Sequence, residues 1–441
     1  MEKTYTTRTT CRVCGSANLT PLFSLGEQYV SDFVERDKIH AGHRCPIDIE
    51  LCRDCTLVQA KHTAPQDFLY SRFYWYRSGV TGTMRAALAD VAQAAEQRVD
   101  LKAGDVVLDI GSNDGTLLRA YTRPGIVRVG VEPATNLAEE GRRGIDFLIN
   151  DFWAYERYQK DMVMAFGSPM KQARVVTALG MFYDLEDPNQ FVADIAKVLA
   201  PDGLFIAQLM CLRDMIALSD VGNLSHEHLE FYSYRSLEYL FGRHGLEIFD
   251  LETNSVNGQS TRLYVRHKGS PLIREGQSTE DVMRAMLTVK VALAAERDHR
   301  LDEPQMFQLW MATLADRRNR CVEFVRREVA AGRQVWVYGS STKGNVILQW
   351  AGLDRSLIQA AADRSPEKWG KFTIGTGIPI VSEEEFRRER PDYALVLPYA
   401  FLPEMIERER AWLLRGGKFI VPLPEPRVVS MTADGVTEVM L

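Results

Sequence analysis

Residues 223–233 read NLSHEHLEFYS and put an imidazole, a carboxyl and a second imidazole on consecutive positions, His226, Glu227 and His228. These residue types exchange protons near neutral pH or bind metal, although a polar surface turn has the same composition. A second constellation lies near the front, where Cys11 and Cys14 form CRVC and Cys52 and Cys55 form CRDC, with a 37-residue insert between the pairs. Two C-x-x-C turns can close four thiolates around one Zn²⁺. A site filled by four thiolates has no open position, so the zinc is expected to be structural.

The rest of the composition narrows the setting. With 53 basic and 59 acidic residues and a formal charge of −6, the chain has no broad cationic field for a nucleic-acid backbone. The N-terminus lacks the apolar core of an export signal, and no run approaches the roughly eighteen apolar residues of a membrane helix. Seven cysteines, an odd number, argue for reduced thiols in a cytoplasmic protein, with Cys45, Cys211 and Cys321 as ordinary buried residues. An aromatic-rich stretch, residues 69–79, reads as a hydrophobic plug under the zinc module or as a crossing segment whose Tyr74 or Tyr76 supplies a phenol to a neighbouring site.

The elements that must position these groups come next. An amphipathic helix over 84–97 precedes DVVLDIGSNDGTLL, in which the apolar strand Val106–Ile110 enters a glycine turn, residues 111–115, and then a helix. This is how an α/β fold offers backbone N–H groups to a ligand. VRVGVEP predicts a second strand closed by Glu132, about twenty residues on, whose carboxylate suits two ribose hydroxyls. Asp151 stands at the end of a third strand, within reach of an adenine amine, and ARVVTALG and DGLFIAQLM predict the fourth and fifth. The turn lacks the glycine spacing of a dinucleotide fingerprint. A charged helical region over 279–331 then leads into RQVWVYGSSTKGNVILQW, a second strand, glycine turn and helix. Residues 339–344 have phosphate-loop spacing, but Asn345 and Val346 replace the Lys and Ser or Thr of an ATPase. A hydroxyl-rich turn carrying Lys343 at a helix N-terminus could still hold a diphosphate.

The D-x-G-x-x-x-G turn followed by an acidic strand end resembles class I S-adenosylmethionine-dependent methyltransferases. The whole chain resembles the nucleotide-sugar C-methyltransferases of deoxysugar pathways. The motifs carrying this are the two C-x-x-C pairs, LVQ, Y-x-Y-x-S, LDIGSNDGTLL, H-E-H, YG-x-x-x-KGN, D-x-S-P-x-K-x-G, IPI and GGKFI-x-P-x-P. The resemblance implies an α/β protein of three parts: a zinc-binding module (1–80), a Rossmann-like methyltransferase domain (81–270) and a second Rossmann-like, sugar-nucleotide-binding domain (271–441). It implies structural zinc, one S-adenosylmethionine and a nucleotide-linked 4-keto deoxysugar methylated beside the keto group, at C3, in a monomer or a dimer. By resemblance His228 is the base, Glu227 its partner or a sugar ligand, Tyr76 a phenolic contact, and His226 a supporting imidazole. Ser78, Asp109, Gly111, Asn113, Asp114, Gly115, Glu132 and Asp151 would hold the cofactor. Ser341, Lys343, Asn345, Lys368, Asn257 and Arg262 would hold the substrate.

Three positions depart from the family's pattern: Ser225 replaces the tyrosine before H-E-H, Asp184 stands near a family histidine, and Asn257 replaces another. Tyr399 also stands where relatives carry tryptophan. Zinc and cofactor motifs are intact, so the expectation is an altered sugar or position on a retained methyl-donor machine. An O- or N-methyltransferase on a similar nucleotide sugar is the alternative, since transfer to a hydroxyl or amine also uses a base. A non-catalytic binding protein and a zinc hydrolase fit the conjunction of motifs less well.

Overall fold

The computed structural model describes residues 5–71, 73–167, 172–270 and 278–441. The side chain of Asn257 lies outside the described residues. Apolar strand sequences dictate two seven-stranded sheets. In the middle sheet Val106–Ile110 is buried on both faces, as a central parallel strand requires. Val106, Leu108 and Ile110 pack into one core with Phe191, Val192 and Ile195, while Val107 faces the other with Val91 and Ala95. From one edge the strands run Phe147–Ile149, Val127–Val131, Val106–Ile110, Ala173–Leu179, Leu199–Leu209, Ser260–His267 and Leu246–Asn254. The first five are parallel and Ser260–His267 is antiparallel. Chain order reverses between Val106–Ile110 and Ala173–Leu179, and a crevice opens outside the carboxyl ends at such a switch point.

The C-terminal sheet repeats the plan: Ile380–Ser382, Ala361–Asp363, Val335–Tyr338, Tyr393–Val396 and Lys418–Val421 are parallel, followed by the antiparallel Arg427–Thr432 and Gly435–Met440. Its strands again divide their side chains by parity, with Val335 and Val337 in one core and Trp336 and Tyr338 in the other. Two helices, Thr279–Asp298 and Pro304–Ala330, join the sheets. Among the described residues no helix is long and apolar enough to cross a membrane.

The front module is a four-stranded antiparallel sheet whose last strand comes from far along the chain. Leu19–Tyr29 pairs with Arg44–Cys52, that with Val58–Ala60, and that with Glu230–Phe231, just past His228. Beyond a small cluster of Val30, Cys45, Ala64 and Leu69, most of its apolar face packs into a core that it does not own alone. Leu22, Ile47, Ile49 and Val58 share this core with Leu224, Leu229 and Phe231 and with Val346, Ile347 and Leu348 of the C-terminal domain. A second seam pairs Phe33–Val34 with Phe372–Thr373. Beside it, the Tyr29 amide donates to Gln349 Oε1 at 2.8 Å and Gln349 Nε2 donates to the Tyr29 carbonyl at 3.0 Å.

Arg12 locks the module to the middle domain. Its fully buried guanidinium donates to the Ala60 carbonyl and, at 2.7 Å, to Thr63 Oγ1, and it faces Glu186 at 3.4 Å and Glu230 at 3.7 Å. Removing one member of such a network leaves the others buried without partners. We expect Arg12→Met to lower stability by roughly 3 kcal/mol in urea unfolding, and a change within error would contradict this account of the seam.

Candidate active site

The crevice at the switch point is built by a turn that only small residues can make. Gly111 has φ 72° and a side chain there would lie 2.9 Å from Met181 Cγ; Gly115 has φ 77° and would meet the Gly141 carbonyl at 2.8 Å. The turn is held from three sides. Gly111 and Ser112 donate to the Val131 carbonyl. Glu132 accepts from the Asn113 and Ala134 amides, both at 2.8 Å, leaving lone pairs on a carboxyl at the strand end. The end of the aromatic stretch clamps the outside: the Ser78 amide donates to Asn113 Oδ1 at 2.9 Å, the Gly79 amide to Asp114 Oδ2 at 2.6 Å, and Asn113 Nδ2 to the Tyr76 carbonyl at 3.1 Å. Asp109 accepts the Thr177 hydroxyl at 2.5 Å, and burial pushes its pKa up to about 7. Open backbone, an acidic strand end and a lidding segment fit the methionine and ribose parts of S-adenosylmethionine. Asp151 differs from the other cofactor candidates, being half-exposed and paired with Arg157 at 2.8 Å.

The H-E-H segment runs along the seam between the domains, tied to the turn after strand Ala173–Leu179 by the Leu229 and Glu230 amides, which donate to the Tyr183 carbonyl, and its two histidines differ. His226 Nε2 must be the protonated nitrogen, because its partner is the Cys45 carbonyl at 2.8 Å; Nδ1 is buried without a partner. Burial pushes its pKa down to about 4. It is a neutral strut. His228 has the opposite tautomer: Nδ1–H donates to the Asn223 carbonyl at 2.8 Å, and no described residue hydrogen-bonds Nε2, which therefore keeps an unused lone pair. Burial, aided by the Lys343 ammonium, pushes its pKa down to about 3, so the ring is neutral throughout the physiological range. Its ring meets Tyr183 edge to face at 4.4 Å.

Three other segments complete the cluster. Lys343 donates to Asn223 Oδ1 at 2.9 Å, so one asparagine ties the C-terminal helix to His228. Glu227 accepts weakly from Thr342 Oγ1 at 3.4 Å, and burial pushes its pKa up to about 7 against the pull of Lys343. The Tyr70 phenol donates to the Glu227 carbonyl at 2.8 Å. Tyr70, Tyr74 and Tyr183 all feel Asp184 and Glu227, and burial first, then these carboxyls, drives their phenols well above the ordinary value. Tyr76 is 45% exposed and lies toward the cofactor turn, within the field of Asp114.

Of the substrate candidates among the described residues, only Lys343 reaches this cluster. Ser341 caps its own helix by accepting from the Gly344 amide at 3.0 Å, and Asn345 donates to the Asp32 carbonyl at 3.2 Å, holding the front module. Lys368 donates to the Ser340 carbonyl at 2.6 Å, pairs with Asp363 at 3.3 Å and lies over the Phe33 ring. Arg262 pairs with Asp90 at 2.7 Å and bonds Gln208 at 3.0 Å. Tyr399 donates to Asp220 Oδ1 at 2.9 Å, closing the seam near Asn223. The residue-type reading missed Asn223, Tyr70, Tyr183 and Thr342. Only the aromatic density near Tyr70 was a sequence signal for them.

The four front thiols meet the requirement for zinc. Their sulfurs all lie within 4.8 Å of one another, with Cys11 and Cys55 3.5 Å apart and Cys14 and Cys52 3.4 Å apart. A tetrahedron with Zn–S bonds of about 2.3 Å has edges near 3.8 Å. The remaining cysteines, 45, 211 and 321, are each buried apart.

Comparison with known proteins finds three matching family models along the chain. Residues 11–70 match a putative zinc-binding domain, 79–251 a methyltransferase domain and 255–424 a C-methyltransferase C-terminal domain. C-methyltransferase NovU of Streptomyces niveus is 31% identical over 428 residues, covering 95% of this chain and 96% of that protein. The chain belongs to the C-methyltransferase family. It is a S-adenosylmethionine-dependent methyltransferase with a zinc-binding front domain, and it acts on a small molecule. The chain is also similar to the solved amino pentose methyltransferase CalS10 of Micromonospora echinaspora (15% identity, 41% of this chain and 91% of that one, TM-score 0.31). It is similar as well to a S-adenosylmethionine-dependent methyltransferase of Clostridium acetobutylicum (12%, 42% and 92%, TM-score 0.30).

Two outcomes follow. Gly111→Ala should raise the S-adenosylmethionine dissociation constant by more than about tenfold in calorimetric titration, because the new methyl meets Met181 at a positive φ; unchanged affinity would contradict the assignment of this turn. The protein should carry one zinc per chain by elemental analysis, and stripping it with a chelator should unfold the front module; an unchanged melting curve would contradict the structural role.

Proposed function

We propose that this enzyme methylates a carbon beside the keto group, C3, of a nucleotide-linked 4-keto deoxysugar. The observation carrying the proposal is the tautomer of His228: the Asn223 carbonyl fixes the proton on Nδ1, leaving Nε2 as an unprotonated base. A carbon beside a ketone becomes a nucleophile only after losing a proton, so this reaction requires a base at that carbon. The C-methyltransferase relative supports the same choice. Lys343 at the N-terminal end of helix Thr342–Ala351 supports a diphosphate-bearing substrate reaching the seam.

In this reading His228 Nε2 takes the proton from carbon while Asn223 keeps the ring's orientation. The negative charge entering the cleft raises the imidazole's otherwise low proton affinity when it is needed. Glu227, ionised, holds a sugar hydroxyl and steadies the imidazolium. Tyr74 and Tyr183 wall the cleft against water. S-adenosylmethionine supplies the electrophilic methyl group, seated against the turn from Gly111 to Gly115 and against Glu132.

Because His228 titrates far below the working range, the acid limb of activity belongs to Glu227. Activity should fall as the pH drops through about 7, where Glu227 gains its proton, and Glu227→Gln should lower activity and remove that limb. The decisive assay incubates a panel of 4-keto-6-deoxyhexose nucleotides in deuterated buffer and follows deuterium at the carbon beside the ketone. Exchange lost by more than about a hundredfold in His228→Ala supports the proposal. Methyl transfer to oxygen or nitrogen without exchange sinks it.

A further inference from the structure

Asp184 stands in the turn after strand Ala173–Leu179, at the carboxyl edge of the sheet beside the switch point, with its amide bonded to the Met181 carbonyl. The residue is 9% exposed, Oδ1 is buried with no hydrogen-bond partner, and the Tyr70 phenol lies within hydrogen-bonding reach of the carboxyl. The groups facing it come from every neighbouring element: Glu227 and Glu230 from the H-E-H segment, Tyr70 and Tyr74 from the crossing segment, Tyr183 beside it, and Lys343 from the C-terminal domain. There is one cation among three carboxyls. Glu230 has Arg12 on its far side, so Asp184 and Glu227 compete for Lys343.

Two buried carboxyls sharing one cation do not both ionise. Burial, and next the negative charge of Glu227, hold the Asp184 carboxyl well above the usual range, while Glu227 ionises first, near 7. A protonated carboxyl is a hydrogen-bond donor. Two other donors around the cleft are already committed: Tyr70 bonds the Glu227 carbonyl and Lys343 bonds Asn223. An enolate, however, needs a donor at its oxygen.

We propose that Asp184, as the neutral acid, donates a hydrogen bond to the substrate's keto oxygen and stabilises the enolate. This rests on the carbon-acid reading of the reaction. As the base removes the proton from carbon, the C–H pair becomes the C=C bond and the carbonyl π pair moves to oxygen, which accepts the Asp184 O–H; that proton stays on Asp184. On methylation the oxygen pair restores the C=O bond and the C=C pair bonds the methyl carbon, whose former bonding pair is left on sulfur. The residue is a catalytic hydrogen-bond donor, a neutral acid kept neutral by its surroundings.

The test compares Asp184→Asn with Asp184→Ala by deuterium exchange into the same 4-keto nucleotide panel, with zinc content and S-adenosylmethionine affinity as checks of folding. Asparagine keeps a neutral donor, so Asp184→Asn should hold exchange within about tenfold of wild type, while Asp184→Ala should lose about a hundredfold or more with KM changed little. Wild-type exchange should fall at alkaline pH as Asp184 loses its proton, and this limb should be absent from Asp184→Asn; that comparison does not depend on the alanine variant. Equal losses in the two variants, or an unchanged alkaline limb in Asp184→Asn, would overturn the donor role. Absence of exchange in the wild type would instead contradict the carbon-acid reading itself and take the donor with it.

Discussion

Two residues of β-ladder, Glu230–Phe231 on Val58–Ala60, join the chemistry to the scaffold. Just before the ladder, the Ala60 amide donates to the Leu229 carbonyl at 2.9 Å, so the backbone adjoining His228 is tied to a strand that begins three residues after the last zinc ligand. A ladder this short is marginal alone. It persists because Leu229 and Phe231 enter a core built jointly by the front sheet and the C-terminal domain. The zinc thus acts at a distance: it closes the turns that aim Val58–Ala60, and that strand aims the imidazoles.

The same packing sets the electrostatics. Water is largely excluded where the domains meet, so burial outweighs pairing for most titratable groups there. The carboxyls of Glu227 and Asp184 rise, the imidazoles of His226 and His228 fall, and the phenols rise. The common result is neutrality, with Lys343 as the cation in the cluster and one carboxyl free to balance it. The histidines diverge because one Nε2 meets a carbonyl and the other Nδ1 meets one. One ring spends its proton inward and becomes a strut; the other keeps a lone pair for the cleft.

Local chemistry was legible in the sequence where one short segment carries it. Each C-x-x-C pair is one turn, and the cofactor turn with its acidic strand end spans two adjacent strands, so residue types and spacing suffice. The strands of the middle domain followed from the same run of apolar segments. What could not be read was which side chains from distant segments meet. Lys343 and Lys368 both sit in substrate-like motifs, yet one reaches Asn223 and the other turns back to Asp363 and the Ser340 carbonyl. Arg262 is diverted by Asp90 and Asp151 by Arg157, partners that no spacing rule announces. Asn223, five residues before His228, supplies a backbone carbonyl, and backbone groups have no sequence signature.

The central claim is that the methyl group arrives on carbon. Its most direct measurement transfers a ¹³C-labelled methyl from S-adenosylmethionine to a 4-keto-6-deoxyhexose nucleotide and reads the product by NMR. The account predicts a label bonded to a ring carbon beside the ketone, coupled to that carbon's neighbours, and no label in the product of His228→Ala. A label bonded to oxygen or nitrogen, or a His228→Ala enzyme that still methylates carbon at the wild-type rate, would contradict it.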